Sequence, residues 1–184
     1  MSLSVSEAIE ARYSCRNFDK QPIPEAELAE MLEIATKTCS ACNQNLVHMW
    51  ALNDYERAHS IGMTCTEKLP ESWGSILNRP NDCPITCDAA TVIFFTIDNN
   101  RAKVKGWEDV DLGQLMMQLQ LLATAKGYGT LNVGLFDFVK EEIMEMIGNP
   151  EGHTYRMALA IGKPTEVAEK SAINYHTEKR IHML

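Results

Sequence analysis

Residues 12–18 read Arg-Tyr-Ser-Cys-Arg-Asn-Phe (RYSCRNF), and they stand between two stretches of helical periodicity. Arg12, Ser14 and Arg16 put two fork-shaped cations and a hydroxyl within five residues, a set suited to a phosphate dianion. Taken alone, two arginines at i and i+4 are ordinarily a solvated patch. Their meaning depends on the chain around them.

On the N-terminal side, Ser4-Val5-Ser6-Glu7 fits a capping box, and Val5, Ala8, Ile9 and Arg12 follow on one helical face. On the C-terminal side, Pro24 suits the first turn of a helix over 25–37 with the stripe Leu28, Met31, Leu32 and Ala35. The polar loop Thr-Cys-Ser-Ala-Cys-Asn-Gln-Asn (38–45) comes next. The short apolar run Leu46–Leu52 then reads as a strand, and Asp54 as the cap of a helix through about Ile61. Residues 62–88 carry Gly, Pro, Asn and three cysteines with little periodicity, which predicts a long irregular binding loop or lid. Ala89–Ile97 is a β-rich run suited to a strand covered on both faces.

The strongest helix is predicted over 111–126. Leu112, Leu115, Met116, Leu119, Leu122 and Ala123 form one stripe, and Met117 and Leu121 make the other side apolar too. Such a helix is expected to be buried on all sides, within a core or partly against another subunit. Gly127 ends it. Thr130–Val133 reads as a strand, Asp137–Ile147 as a helix closed by Gly148, and Tyr155–Ile161 as a strand stopped by Gly162-Lys163-Pro164. The sum is a single α+β domain over 1–184 with no linker to split it.

The totals agree. The chain has 184 residues, 45% of them hydrophobic and 23% charged, enough for one sizeable core. A net charge of −8 argues against nucleic acid or an anionic membrane as partner, so an anionic ligand needs local positive groups. The N-terminus interrupts its apolar residues with Glu7, Glu10 and Arg12, unlike a signal peptide, and the run from Ala89 to Phe95 is too short to cross a bilayer. Six cysteines without a signal sequence imply free thiols in a reducing compartment, and a soluble cytoplasmic protein is expected.

Cys39 and Cys42 form a Cys-x-x-Cys. A zinc or iron–sulfur site would join them to Cys83 and Cys87, but the second pair has the looser x3 spacing and the two pairs lie about forty residues apart. A thioredoxin-type dithiol needs a helix N-terminus, whereas this pair follows a helix. The simpler expectation is small, partly buried thiols with no redox task. His48, in a predicted strand, is read as a core or edge residue.

The opening segment, followed by Pro22-Ile23-Pro24 and a helix, resembles the start of the nitroreductase family, whose signature is Arg-Arg-Ser-x-Arg-x-Phe. The loop Cys39-Ser40-Ala41-Cys42-Asn43-Gln44-Asn45-Leu46, with Trp50 in the strand after it, resembles the family's Pro-Ser-x-x-Asn-x-Gln-Pro. Asp111-Leu112-Gly113-Gln114 and the run to Gly129-Thr130 are similar to its Asp-x-Gly helix ending in Gly-Leu-Gly. Gly134 and Ala160-Ile161-Gly162-Lys163-Pro164 match its later glycine and final strand. Cys39 replaces the first loop proline, Asn45 a glutamine and Leu46 a proline.

The resemblance implies a nitroreductase-like fold with a central, mostly antiparallel sheet flanked by helices. It implies FMN as cofactor, NADH or NADPH as co-substrate, and a nitroaromatic, quinone or similar small molecule as electron acceptor. It further implies a homodimer with FMN at the interface. Carried over by position, Arg12, Tyr13, Ser14 and Arg16 would meet the cofactor with its phosphate. Ser40, Asn43 and Asn45 would meet its polar groups, and the backbone of Val133 and Gly134 its reactive edge. Lys170 would be a further phosphate cation. Lys68 and Asn78 are further candidates within the irregular segment. No catalytic side chain is needed, because the flavin does the redox work. The alternatives are a flavin-binding protein without turnover and the metal or iron–sulfur protein built on the four cysteines.

Overall fold

The computed structural model describes residues 3–165. It begins with helix α1 (Val5–Ala11), held by the capping box: Glu7 N–H donates to Ser4 Oγ at 3.3 Å and Ser4 N–H to the Glu7 carboxylate at 2.7 Å. Helix α2 (Glu25–Ala35) starts one residue after Pro24, which sits at the cap, and ends two residues short of the expected 37. Strand β1 (Val47–Asn53) is followed by α3 (Tyr55–Lys68), capped by Asp54 accepting from Arg57 N–H at 3.0 Å.

The expected irregular segment 62–88 is therefore helical as far as Lys68, and it also contains a 3₁₀ turn at Glu71–Trp73 and the short α4 (Gly74–Leu77). Gly62 is no helix stop. A Cβ there would run into the Cys83 sulfur, so the glycine is what lets the segment around Cys83 lie against α3.

Strand β2 (Thr91–Asp98) leads to α5 (Glu108–Ala125), then β3 (Gly129–Asn132). The expected helix over 137–147 is a 3₁₀ turn, Gly134–Val139, continued by α6 (Lys140–Met146). Strand β4 (His153–Gly162) closes the described chain. Gly127 and Gly148 end their helices at φ +86° and +84°, left-handed conformations that glycine adopts without steric cost.

The four strands form one antiparallel sheet in the order β1-β2-β4-β3. Strands β2 and β4 are central, and all eight residues of β2 are buried, which explains its unbroken apolar run. Val92 and Phe94 face one layer with Ala58, Ile61 and Cys65 of α3 and Phe136, Val139 and Ile143. Ile93 and Phe95 face the other, with Leu28 and Met31 of α2 and Leu115 and Leu119 of α5. Burying each such side chain contributes roughly 1.5–3 kcal/mol.

Helix α5 is covered on one side only within the chain. Its inner side is buried, but Val110 and Met117 are 45% and 46% exposed, and α1, which lies against it, exposes Val5 at 72% and Ile9 at 56%. The apolar outer side seen in the sequence is real and is uncovered within one chain. No helix among the described residues is long and apolar enough to cross a membrane.

Candidate functional site

The segment 12–18 is fastened along the outer edge of β3. Cys15 N–H donates to the Thr130 carbonyl at 2.9 Å, Ser14 bridges Thr130 in parallel, and Phe18 bridges Pro164. A glycine at 129 makes this approach possible, since a Cβ there would stand 2.7 Å from Cys15 Cβ. Cys15 itself is buried, and burial pushes its thiol pKa up, so it remains a protonated packing group.

With this anchoring Arg16 is exposed and Arg12 half-buried. Arg12 caps α1 through its backbone, and among the described residues Arg16 Nη1 donates to the Ser14 carbonyl at 3.2 Å. No carboxylate among the described residues pairs with either guanidinium. Val133 and Gly134 leave the far end of the same strand, Val133 N–H donating to Ala158 O at 2.8 Å. The space in front of Gly134 is open; a methyl group there would touch nothing within 4 Å. Tyr13 packs beside this core. The structure thus brings Arg12, Tyr13, Ser14, Arg16, Val133 and Gly134 to one edge of the sheet.

Ser40, Asn43 and Asn45 lie elsewhere. Their loop is tied to itself and to the start of α5. Asn45 N–H donates to Ser40 Oγ at 3.1 Å, Asn45 Nδ2 donates to Asn43 O at 3.2 Å, and Ala41 N–H donates to Asp111 Oδ1 at 2.9 Å. Cys39 Sγ donates to Gln114 Oε1 at 2.8 Å. Cys42, Asn43 and Asn45 hold φ of 50°, 51° and 49°, a left-handed conformation that Asn tolerates and Cys adopts at some cost. The loop borders a cleft of about 690 Å³, whose wall includes Lys37, Arg101 and Asp111. Asp111 is buried, and its Oδ2 has no hydrogen-bond partner among the described residues.

The register gives the separation of the two groups. Thr130 stands in row with Ile161, Thr91 and Asn53, so Ser14 lies beyond one edge of the sheet and Asn53 on the other. The loop 38–45 enters β1 at its opposite end, near Val47. Strand spacing of about 4.8 Å and a rise of about 3.3 Å per residue place the two groups on the order of 20 Å apart. One chain therefore holds the two candidate groups at opposite corners.

Other candidates fall outside these corners. Lys68 is ion-paired with Glu142 at the end of α3, and Asn78 ends α4. Lys170 lies outside the described residues. The four cysteines do not assemble: Cys39 and Cys42 are exposed, against the expectation of partial burial, whereas Cys83 and Cys87 are buried in the core on the other side of the sheet. Cys65 beside them is pushed up to about 12 by burial first, with Cys83 adding to it, far from thiolate chemistry.

Sequence reasoning missed three neighbours. Asp111 and Gln114 hold the loop; the family's Asp-x-Gly pattern marked this stretch, but neither was assigned to the site. Arg79, whose guanidinium donates to Pro84 O at 3.0 Å, adds a cation beside Cys87, whose carbonyl accepts from Phe18 N–H at 3.2 Å. No sequence signal pointed to it.

Comparison with known proteins gives the same outline. The "Putative NAD(P)H nitroreductase YodC" of Bacillus subtilis is 25% identical over 187 residues, covering 90% of this chain and 92% of that protein. A nitroreductase with bound FMN from Bacteroides fragilis superposes with a TM-score of 0.78 at 19% identity over 100% of both chains. The FMN-dependent nitroreductase of Clostridium difficile R20291 gives 0.76 at 18% identity, over 97% of this chain and 99% of that one. At such identities these two likenesses speak to the fold, which is that of the nitroreductases. The sequence profile of the nitroreductase family matches residues 9–163, spanning both groups of candidate residues, and the chain belongs to that family.

Proposed function

We propose that the protein is an FMN-dependent oxidoreductase, one domain per chain, working as a homodimer with FMN at the interface and using NAD(P)H as electron donor. The observation that carries this reading is the split site. A cofactor with a phosphate at one end and a polar ring at the other needs both corners, and one chain holds them on the order of 20 Å apart. A two-fold pair of chains can set the arginine corner of one against the loop of the other, and the uncovered apolar side of α1 and α5 supplies a surface for that contact.

The residues fit the cofactor. Two guanidiniums without a carboxylate partner among the described residues suit a phosphate, which accepts their forked donors. The hydroxyl and amides of Ser40, Asn43 and Asn45 can donate and accept around a ribityl chain and a pyrimidine edge. Gly134 leaves its backbone approachable from the open side.

FMN, when bound, supplies a two-electron carrier between NAD(P)H and an electron-poor acceptor of the nitroaromatic or quinone kind. The chain's own part is to hold and orient. Arg12 and Arg16 neutralise the phosphate in a protein of net charge −8, and the loop fixes the ring's polar edge. The buried thiols stay protonated and out of the reaction. Donor and acceptor share one open face in turn, so the kinetics are ping-pong. Lys170, in the tail outside the described residues, is a further phosphate cation in this reading, and the reducing-compartment thiols suit the cytoplasm.

The test is complementation. Arg16→Ala and an Asn43→Ala, Asn45→Ala variant are each expected to bind FMN weakly. Unfolded and refolded together, they form mixed dimers in which one of two sites is intact, so about one site in four should recover flavin. A mixture no better than either variant alone would show that both halves come from one chain. Bleaching of the flavin absorbance under anaerobic NADH or NADPH separates an enzyme from a flavin store, and parallel initial-rate lines test the ping-pong order.

A further inference from the structure

At the end of the sheet where the loop 38–45 enters β1, three strands bring together side chains that the flavin reading does not use. His48 of β1 pairs with Thr96 of β2, and Asp98 of β2 pairs with His153 of β4. A bulge between Phe95 and Thr96 shifts the register of β4, and the shift is what sets His153 opposite Asp98. With side chains alternating along a strand, Thr96 and Asp98 share one face, and the two imidazoles flank them. One donor atom from each of His48, Asp98 and His153 lies within 4.8 Å of the others, the only such group of His, Cys, Asp or Glu among the described residues.

We propose that His48, Asp98 and His153 form a binding site for a divalent transition-metal ion of the zinc class. Two imidazoles and one carboxylate are borderline donors that suit zinc over magnesium or calcium, and three protein ligands leave one position for water. Tetrahedral bonds of about 2.0–2.1 Å separate neighbouring donors by roughly 3.4 Å. His48 Nε2 and Asp98 Oδ2 stand 3.9 Å apart, so closure around an ion needs only a small side-chain adjustment.

The surroundings are those of a supported site. Thr96 Oγ1 lies 2.9 Å from His153 Nδ1 and accepts from Trp50 Nε1–H at 2.9 Å. Its second lone pair can take the Nδ1–H of His153, which leaves Nε2 as the ligand atom. Asp98 is 8% exposed, and its Oδ1 accepts from Asn100 N–H at 3.0 Å, leaving Oδ2 toward His48. The two imidazole rings meet edge to face with centroids 4.7 Å apart. Burial and the neighbouring His153 hold His48 below its ordinary pKa, with Asp98 opposing, and the neutral ring is the form a metal needs. Arg101 also reaches His48 and works against a cation there, so affinity should be moderate. A bound ion would clamp β1, β2 and β4 together beside the cofactor loop, whose Leu46 carbonyl already accepts from Asp98 N–H at 2.9 Å. This inference does not depend on flavin binding.

The test is equilibrium dialysis of the chelator-stripped full chain against buffered Zn²⁺, with metal counted per chain by elemental analysis. A Cys39→Ser, Cys42→Ser background keeps the exposed thiols from supplying the count. One zinc per chain, lost or weakened at least about tenfold in His48→Gln, His153→Ala and Asp98→Asn, supports the site. Asp98→Asn keeps the size and the Asn100 contact, so a metal-free Tm equal to the parent's excludes misfolding as the cause. Zinc should raise the parent's Tm and leave the variants' unmoved. Absence of zinc at low-micromolar free metal, retention by the three variants, or loss in the cysteine background alone overturns the proposal.

Discussion

The two corners of the candidate site are built in opposite ways. Residues 12–18 take their position from backbone pairing with β3 and Pro164, and their arginine side chains meet no carboxylate among the described residues. The loop 38–45 takes its shape from its own side chains and from Asp111 and Gln114, with three residues in left-handed backbone. The first corner is an extension of the sheet and should fail only when the sheet edge fails. The second is a local construction, held by exposed or partly buried hydrogen bonds worth about 0.5–1.5 kcal/mol each, and should respond piecemeal.

The largest expected effect breaks the first corner from beneath. Gly129→Ala puts a Cβ against Cys15 Cβ, a rigid neighbour, so segment 12–18 must move off β3. A loss of about 1–3 kcal/mol in urea denaturation is expected, the usual cost of overpacking, together with loss of bound flavin. Ala at 129 with unchanged stability and flavin content would mean that the Ser14–Thr130 bridge does not position the arginines.

Next comes the ligand contact itself. Arg16→Ala should weaken FMN by about 1.5–3 kcal/mol, roughly ten- to more than a hundredfold, because a charged hydrogen bond is lost. Its Tm without flavin should match the parent's, since the Arg16 side chain makes one hydrogen bond among the described residues, to Ser14 O. Ser40→Ala is the matching change at the other corner. It removes the acceptor of Asn45 N–H, an exposed bond that water can replace, so a smaller loss of about 0.5–1.5 kcal/mol in FMN affinity is expected. An equal or larger effect from Ser40→Ala, by fluorescence titration, would reverse the ranking of the corners.

That asymmetry also decides what could be read from the sequence. The capping box, the Asp54 cap and the closing glycines Gly127 and Gly148 were legible because each depends on residues a few positions apart. Gly62 was misread as the start of a loop, since its reason is contact with Cys83, twenty-one residues on. The ladder of Asp137–Ile147 reads as one helix, but its first turn is 3₁₀, a choice made by packing around Phe136 and Val139. The family pattern singled out the candidate residues without indicating that they stand at opposite corners. Strand order supplied that, and no local pattern encodes it. The outer side of α5 was expected to be covered, and Met117 and Val110 show that one chain leaves it open.

The smallest effect distinguishes the corners by pH. His48 sits where the loop enters β1, and burial, then His153, depress its pKa, with Asp98 raising it and Arg101 lowering it further. A group whose folded pKa lies below its unfolded value favours folding above the unfolded pKa, and that contribution is lost as pH falls through the folded value. Unfolding midpoints in chelator should therefore drop between about pH 7 and pH 5, the range of imidazole titration, and the drop should be shallower in His48→Gln. The side chain is 38% exposed, so the difference will be modest. The arginine corner contains no imidazole among its contacts with the described residues, and Arg16→Ala should leave the slope of that pH profile as it is in the parent. If Arg16→Ala flattened the profile as much as His48→Gln, the two corners would be coupled through the sheet and could not be treated as separate constructions.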